Sequence, residues 1–225
     1  MKKLTIIAAG LALVTAATVS TSALAEVSYN LGFVSEYYYR GILQKTDGAG
    51  NGSGSASAGI DFEESGFYAG AWTADVGAGL EYDLYFGYGY DFNDMISGSI
   101  GYTGYFYTDD TFDDTYQEIN LGLAFSYVSL EYSSGEWDAG TGNPSQDYDF
   151  FGITIENEGF YGTYGTFGDE FDGDYFEVGY GTTIAEIDVG VSAIFNDKLL
   201  SDQTDSVTGA AIGGEAIVFS VGKTF

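Results

Sequence analysis

The chain has 225 residues, and its 34 Asp and Glu against 6 Lys and Arg give a formal net charge of −28. A surface this acidic repels phosphate, which excludes a nucleic-acid partner. The chain also has 20 Tyr, 17 Phe and 34 Gly, with one Pro and no Cys, so a helical, disordered or disulfide-framed protein is disfavoured. The acidity suits either a solvated, salt-tolerant surface or a field that attracts cations, and both can hold together.

Residues 1–25 are predicted to be a cleaved signal peptide. Lys2 and Lys3 form a positive start, residues 4–19 form an apolar run, and Ala23-Leu24-Ala25 is an A-x-A cleavage site. The alternative is an uncleaved membrane helix, but no polar stop-transfer segment follows the run. The sequence therefore predicts an exported protein.

The next stretch, 26–41, alternates between apolar and polar residues. Period 2 is typical of a strand with two different environments, and the apolar face is long enough for a tilted strand to cross a bilayer, roughly 9–11 residues. Glu36 and Arg40 lie on the polar parity, which we expect to face a lumen. The apolar parity holds Val27, Tyr29, Leu31, Phe33, Tyr37 and Tyr39.

The same alternation recurs to the end of the chain and predicts eleven further strands. The clearest is 80–92, where Leu80, Tyr82 and Leu84 alternate with Glu81 and Asp83. In chain order the further strands are 56–62, 67–75, 80–92, 95–107, 116–125, 128–132, 148–156, 160–167, 175–181, 187–195 and 215–225.

About twelve strands is a number typical of single-chain outer-membrane barrels, with ten or fourteen as alternatives. No segment after residue 25 has the roughly 18 apolar residues of a spanning helix, so the mature chain can cross a membrane only as a closed barrel. Long and short connections alternate, as external loops and periplasmic turns do. The predicted fold of residues 26–225 is therefore all-β, a transmembrane antiparallel up-and-down barrel in the outer membrane.

Two features resemble known Gram-negative outer-membrane proteins: a set of motifs in the first third of the chain and the last residue. Ser35-Glu36-Tyr37-Tyr38-Tyr39-Arg40-Gly41, after Tyr29-Asn30-Leu31-Gly32, resembles the S-[DE]-Y-x-x-R-G motif in the first strand of the TorF family of porins. Gly66-Phe67-Tyr68-Ala69-Gly70 and Glu81-Tyr82-Asp83-Leu84-Tyr85 are further similarities. The resemblance implies a porin without naming its solute.

The last residue, Phe225, follows alternating apolar residues. It resembles the C-terminal signal that the barrel-assembly machinery reads in outer-membrane proteins. Lys223 departs from that pattern, since an apolar residue is usual two positions before the end. The resemblance implies the assembly machinery and a lipid bilayer as partners.

Charged residues on the predicted inward parity are candidates for a constriction. Acidic rings select cations and basic rings select anions, so this set predicts a cation-preferring pore, with a purely structural lumen network as the alternative. The candidates are Glu36, Arg40, Asp61, Glu81, Asp83, Asp91, Glu118, Glu177, Glu186 and Asp188.

No catalytic residue, cofactor or metal site is predicted. The chain has no His and no Cys, which removes the usual activated nucleophiles. The acidic loops 109–114 and 169–174 offer Ca²⁺ ligands, but neither matches an EF-hand, and a solvated loop surface is preferred.

The predicted function is a porin for passive ion transport and diffusion of small hydrophilic solutes, with a preference for cations. The main alternative is a closed structural or adhesive barrel, because only 16–18 strands reliably leave a wide aqueous channel. A soluble secreted β-sandwich is the third class. Conductance separates the first two, and membrane fractionation separates the third.

Overall fold

The computed structural model describes residues 25–108, 115–138, 144–169, 171–201 and 203–225. No helix in these ranges is long and apolar enough to span a membrane. The strands in chain order are β1 (Glu26–Val34), β2 (Tyr38–Tyr39), β3 (Ile42–Leu43), β4 (Ser55–Glu64), β5 (Phe67–Asp75), β6 (Leu80–Asn93), β7 (Ile96–Tyr107), β8 (Thr115–Phe125), β9 (Val128–Asp138), β10 (Gln146–Asn157), β11 (Phe160–Asp169), β12 (Gly173–Ile184), β13 (Ile187–Asn196) and β14 (Gly214–Thr224).

Twelve of these strands form one closed antiparallel barrel, in which β1 pairs with both β4 and β14. The short strands β2 and β3 pair with each other in a separate sheet. At the closing seam the backbone N–H of Tyr29 donates to the carbonyl of Phe225 at 3.2 Å, and that of Phe225 donates to Tyr29 at 2.8 Å. The predicted antiparallel barrel of about twelve strands is confirmed.

Side chains on the barrel strands alternate between the outside and the lumen. On β6, Leu84 and Phe86 are 50% and 59% exposed, whereas Glu81 and Asp83 are each 3% exposed. Successive side chains of a strand point to opposite faces, so one parity covers the outer wall and the other fills the interior. An apolar outer wall around a polar interior is the arrangement of outer-membrane barrels.

The two ends of the barrel differ in their connections. At one end, the turn end, every connection is a two-residue turn: 65–66, 94–95, 126–127, 158–159 and 185–186. Positive φ at both residues of Ser65-Gly66, Glu158-Gly159 and Ala185-Glu186 fits type I′ turns, whose twist matches paired strands. The longer connections, starting with 35–54, lie at the other end, the loop end. The predicted sorting of the connections is confirmed.

Three predicted strand ends are wrong. β1 ends at Val34 and not near Gly41, and β12 continues past the turn predicted near Thr182. β9 continues through 133–138, for which the sequence predicts a loop because it has few alternating apolar residues. Its inward Gly135 lies under the Tyr148 ring, where a Cβ would clash with the ring atoms. The strand therefore continues where small residues leave room for a neighbouring aromatic.

Two predictions fall on segments outside the described residues. The proposed signal peptide covers residues 1–25, of which the structure describes Ala25 alone. The acidic loop 109–114 also lies outside, as does Glu170 of the second acidic loop. Both remain predictions from sequence.

Candidate functional site

The segment after β1 turns into the barrel instead of extending the strand. Tyr39 pairs with Ile42, which leaves Arg40 and Gly41 as a two-residue turn. Their φ angles are 46° and 79°, as a type I′ turn requires. Both ladders of β1 end at Val34, and the chain bends at Ser35 and Glu36. The positive φ then reverses the chain at the tip of the hairpin, so the predicted extended run to Gly41 is not a single strand. We call residues 35–44 the luminal hairpin.

The luminal hairpin crosses the interior from one wall to the other. Tyr37 is 2% exposed, and its ring lies 6.1 Å from that of Trp72 on β5. Four strands further around the barrel, Asn196 of β13 donates its side-chain amide to the carbonyl of Gly41 at 2.6 Å. The prediction that Tyr37 and Tyr39 face lipid is therefore wrong, because both lie inside the barrel.

Arg40, at the tip of the hairpin, is 5% exposed and binds two carboxylates. Its Nη1 donates to Glu118 Oε1 at 2.6 Å, and its Nη2 donates to Glu118 Oε2 at 3.2 Å, to Ser133 at 2.9 Å and to Glu131. The guanidinium carbon lies 4.2 Å from the centre of the Phe150 ring. The planar guanidinium group carries several N–H donors and suits this bidentate geometry, which a lysine ammonium group would not reproduce.

Tyrosines complete the shell around this ion pair. Tyr105 and Tyr148 donate their hydroxyls to Glu118 at 3.1 and 2.9 Å. The hydroxyls of Tyr39 and Tyr105 lie 2.7 Å apart. Since a buried carboxylate is tolerated only when it is paired and hydrogen-bonded, this shell is what allows Glu118 to be 1% exposed. Both terminal nitrogens of the arginine are thus engaged, whereas its buried Nε has no hydrogen-bond partner among the described residues.

A second group of carboxyls lies nearby without a cation. Tyr37 and Tyr107 donate hydroxyls to Glu81 at 2.7 and 3.3 Å. Asp83 is also buried on β6, and its Oδ1 has no hydrogen-bond partner among the described residues. No ion pair of the described ranges includes Glu81 or Asp83. Carboxyls therefore outnumber cations in this part of the lumen.

Three further candidates lie on the inner wall but outside the Arg40 network. Asp61 accepts the side-chain amide of Asn30 at 3.0 Å and the hydroxyl of Tyr85. Glu177 accepts the hydroxyl of Tyr161 at 2.5 Å. Asp188 accepts the Thr183 hydroxyl at 2.7 Å, near the turn end. Neutral hydroxyl and amide donors hold these carboxyls in place.

The remaining candidates are peripheral. Glu36 lies at the loop end. Its carboxylate is so close to Gly52 that a Cβ added at Gly52 would clash with it. Asp91 is exposed beside a register shift at the turn end of β6. The prediction that Glu186 faces the lumen from a strand is wrong, because it is a turn residue with φ of 66°. Its carboxylate pairs with Lys223 at 3.1 Å, outside the lumen.

Sequence reasoning missed Glu131, Ser133 and Asn120. Ser133 donates to Asn120 at 2.8 Å as well as accepting from Arg40. Glu131 alternates with Leu130 and Tyr132, so its parity was a usable signal. Nothing local showed that Arg40 would reach it, because the two residues lie 91 positions apart.

An ion pair between Lys45 and Asp75 holds the outer part of the 35–54 connection against the barrel rim. Lys45 Nζ contacts Asp75 Oδ2 and the carbonyl of Gly54, each at 2.7 Å. Beyond it, the side-chain amide of Asn51 and the backbone N–H of Ala49 donate to Asp47, which lowers the pKa of that exposed carboxyl. The loop tip therefore keeps these hydrogen bonds down to a pH below the usual range of a carboxyl.

Two cavities flank the hairpin at the loop end. One, of about 560 Å³, is lined by aromatic residues such as Tyr116 and Phe171 together with Glu81, Glu118 and Asp172. The other, of about 390 Å³, is lined mainly by polar residues that include Glu36 and Glu215. Among the described residues, no group of three His, Cys, Asp or Glu could hold a metal ion.

The solved structures to which this chain is similar include outer-membrane proteins and porins. The "KdgM porin" has a TM-score of 0.51 at 9% identity, over 90% of this chain and 98% of that one. Pseudomonas aeruginosa OprD has a TM-score of 0.43 at 10% identity, over 88% and 66% of the two chains. Acinetobacter baumannii OccAB2 has a TM-score of 0.42 at 13% identity, over 77% and 55%. The chain thus spans between half and two thirds of the latter two barrels, and the likeness to the first shows a shared fold.

Comparison with curated protein sequences finds no match. None of the comparisons points to the TorF family, so that resemblance stays a prediction. A family model described as "Bacterial protein of unknown function (Gcw_chp)" matches residues 17–225, and the chain belongs to the Gcw_chp family.

Proposed function

We propose that this protein is an outer-membrane porin through which small hydrophilic solutes diffuse passively, with a preference for cations. The observation that carries the proposal is the closed barrel with an apolar outer wall and a carboxyl-rich interior. The TorF resemblance and the fold shared with a porin are consistent with it. Filtering is steric and electrostatic, with no chemical step.

The preference for cations follows from the balance of luminal charge. The positive charge of Arg40 is taken up by Glu118 and Glu131, while the less buried Asp61 and Asp188 accept hydrogen bonds from neutral donors and have no ion-pair partner among the described residues. Acidic groups that line a narrow passage raise the local concentration of cations and exclude anions. The negative charge of the whole chain acts in the same direction.

The proposal also covers the molecules that the barrel contacts and its orientation in the outer membrane. The exposed aromatic and aliphatic band contacts lipid, and the turn end faces the periplasm, as short turns do in outer-membrane barrels. Phe225, paired with Tyr29 at the seam, is the residue that the assembly machinery recognises. Small solutes and cations are the cargo.

A closed structural or adhesive barrel is the second candidate, and the luminal hairpin favours it, because the hairpin fills space that a solute would need. Solute permeation into liposomes separates the two. We expect purified barrel in phospholipid vesicles to allow isotonic pentose to enter and swell them, while vesicles with heat-unfolded protein stay unchanged. No swelling with the wild type, and none with variants that displace the hairpin, would support the closed barrel.

A further inference from the structure

The larger cavity at the loop end has the composition of a binding site for a small organic cation. It measures about 560 Å³ and is bounded on its inner side by the luminal hairpin, through Tyr39, Ile42 and Leu43. That volume is within the usual range of ligand pockets, about 300–1,000 Å³. Its outer side includes the exposed Asp172 and Leu199, so a solute can reach it from the loop end.

Aromatic rings form one continuous wall of this cavity. Tyr148 stacks on Phe171 with ring centres 4.8 Å apart, and Tyr116 meets the Tyr148 ring edge-on at 6.4 Å. Behind them, Trp137 stacks on Tyr116 at 6.0 Å and contacts Phe171 at 6.1 Å. Mutual packing fixes the orientation of these rings, so the wall is in place before any ligand arrives.

The ionisable side chains of the cavity other than tyrosine are all acidic among the described residues. Glu81, Glu118 and Asp172 contribute carboxyls, and in the part of the chain that the structure describes no Lys or Arg lines the cavity. Both terminal nitrogens of Arg40 are committed to the buried ion pair with Glu118 and Glu131. An anion would meet carboxyls without a cationic group to offset them, whereas a cation would meet both carboxyls and the electron-rich faces of the rings.

We propose that this aromatic and acidic cavity binds small ammonium compounds that carry methyl or methylene groups. The cation is attracted to the ring faces and to the exposed carboxylate of Asp172, while its apolar groups leave water against Tyr116, Tyr148 and Phe171. Binding requires no open pore. Its role as the entry site for a transported solute rests on the proposed function.

Titration calorimetry on the mature barrel in maltoside micelles tests the site, with choline as the probe. Its neutral isostere, 3,3-dimethylbutan-1-ol, and the anion 3,3-dimethylbutanoate have nearly the same shape, so charge is the variable. We expect saturable choline binding that is at least about tenfold tighter than binding of the alcohol, with none for the anion. Equal binding of choline and the alcohol, or no binding of choline, would overturn the proposal.

Substitutions locate the site. Phe171→Leu keeps an apolar side chain in a loop but removes a ring face, and we expect binding weaker by about threefold to tenfold. Asp172→Asn removes the charge at the rim of the cavity and should also weaken choline binding.

Tyr127→Leu, at the exposed turn end, is the matched control. Heat-modifiable migration on a gel confirms that each variant is folded. If both cavity variants bind like the wild type, the site lies elsewhere. Because micelles enclose no compartment, this test measures binding alone and does not depend on permeation.

Discussion

Replacing Arg40 by Ala is expected to release the luminal hairpin and raise the single-channel conductance of the barrel. The substitution removes the cation from between Glu118 and Glu131, whose side chains are 1% and 15% exposed. Breaking a buried pair by deleting one partner costs about 3–5 kcal/mol, which is a large fraction of what can hold a short hairpin in place. Planar-bilayer recording measures the conductance, and the reversal potential should also shift further toward that of the cation.

Two variants show whether this effect belongs to the buried network. Lys223→Ala removes a cation of the turn end whose partner, Glu186, is 84% exposed; such surface pairs contribute about 0–1 kcal/mol, so we expect conductance like that of the wild type. The double substitution Arg40→Ala with Glu118→Gln removes one of the stranded charges and should recover part of the lost stability. If Arg40→Ala leaves both conductance and stability unchanged, the hairpin is not held by this ion pair.

Gly41→Ala is expected to displace the hairpin by a different route, through steric exclusion. A Cβ at Gly41 would lie 2.5 Å from the Cβ of Tyr175, and the residue has φ of +79°. Tyr175 belongs to the wall and is itself buried, so it cannot move away as a surface side chain would. We expect higher conductance in planar bilayers and faster pentose entry into vesicles.

Gly48→Ala is the matched control for this substitution. Gly48 lies in the same connection with nearly the same φ, +83°, but no atom lies within 4 Å of the position that an alanine methyl group would take there. Both substitutions carry the cost of a left-handed residue, about 1–2 kcal/mol, and only the one at Gly41 adds a clash inside the barrel. Equal effects from the two would mean that backbone strain, and not the fit of the hairpin in the lumen, controls the channel.

The barrel itself was predictable because its outer wall imposes a regular pattern. Residues such as Leu84 and Phe86 must be apolar where they face lipid, and Glu81 and Asp83 are tolerated on the inside, so period 2 appears directly in the sequence. Four of the five short turns were predictable from a Gly or polar residue at the turn, whereas the turn at Ala185-Glu186 was predicted too early, near Thr182. The carboxyls of the inner wall followed from the parity of the strands.

The hairpin was not predictable, because its local pattern matches that of a strand. Tyr37 and Tyr39 keep the alternation of Val27 to Phe33, yet they pack inside the barrel against Trp72 and Tyr105. The decisive features are long-range: the ion pair of Arg40 with Glu118 and the space that Tyr175 leaves for Gly41. A turn of type I′ usually takes Asn-Gly or Asp-Gly, so the Arg-Gly sequence gave only a weak local signal for this turn.

The reversal potential of the wild-type barrel in a KCl gradient tests the central claim most directly. A cation-preferring lumen, with carboxyls such as Asp61 and Asp188 in excess over Arg40, predicts discrete channel openings whose reversal potential lies toward the equilibrium potential of K⁺. A reversal potential toward that of Cl⁻ would contradict the assignment of the acidic lumen. Absence of current from both the wild type and Gly41→Ala would contradict the channel itself.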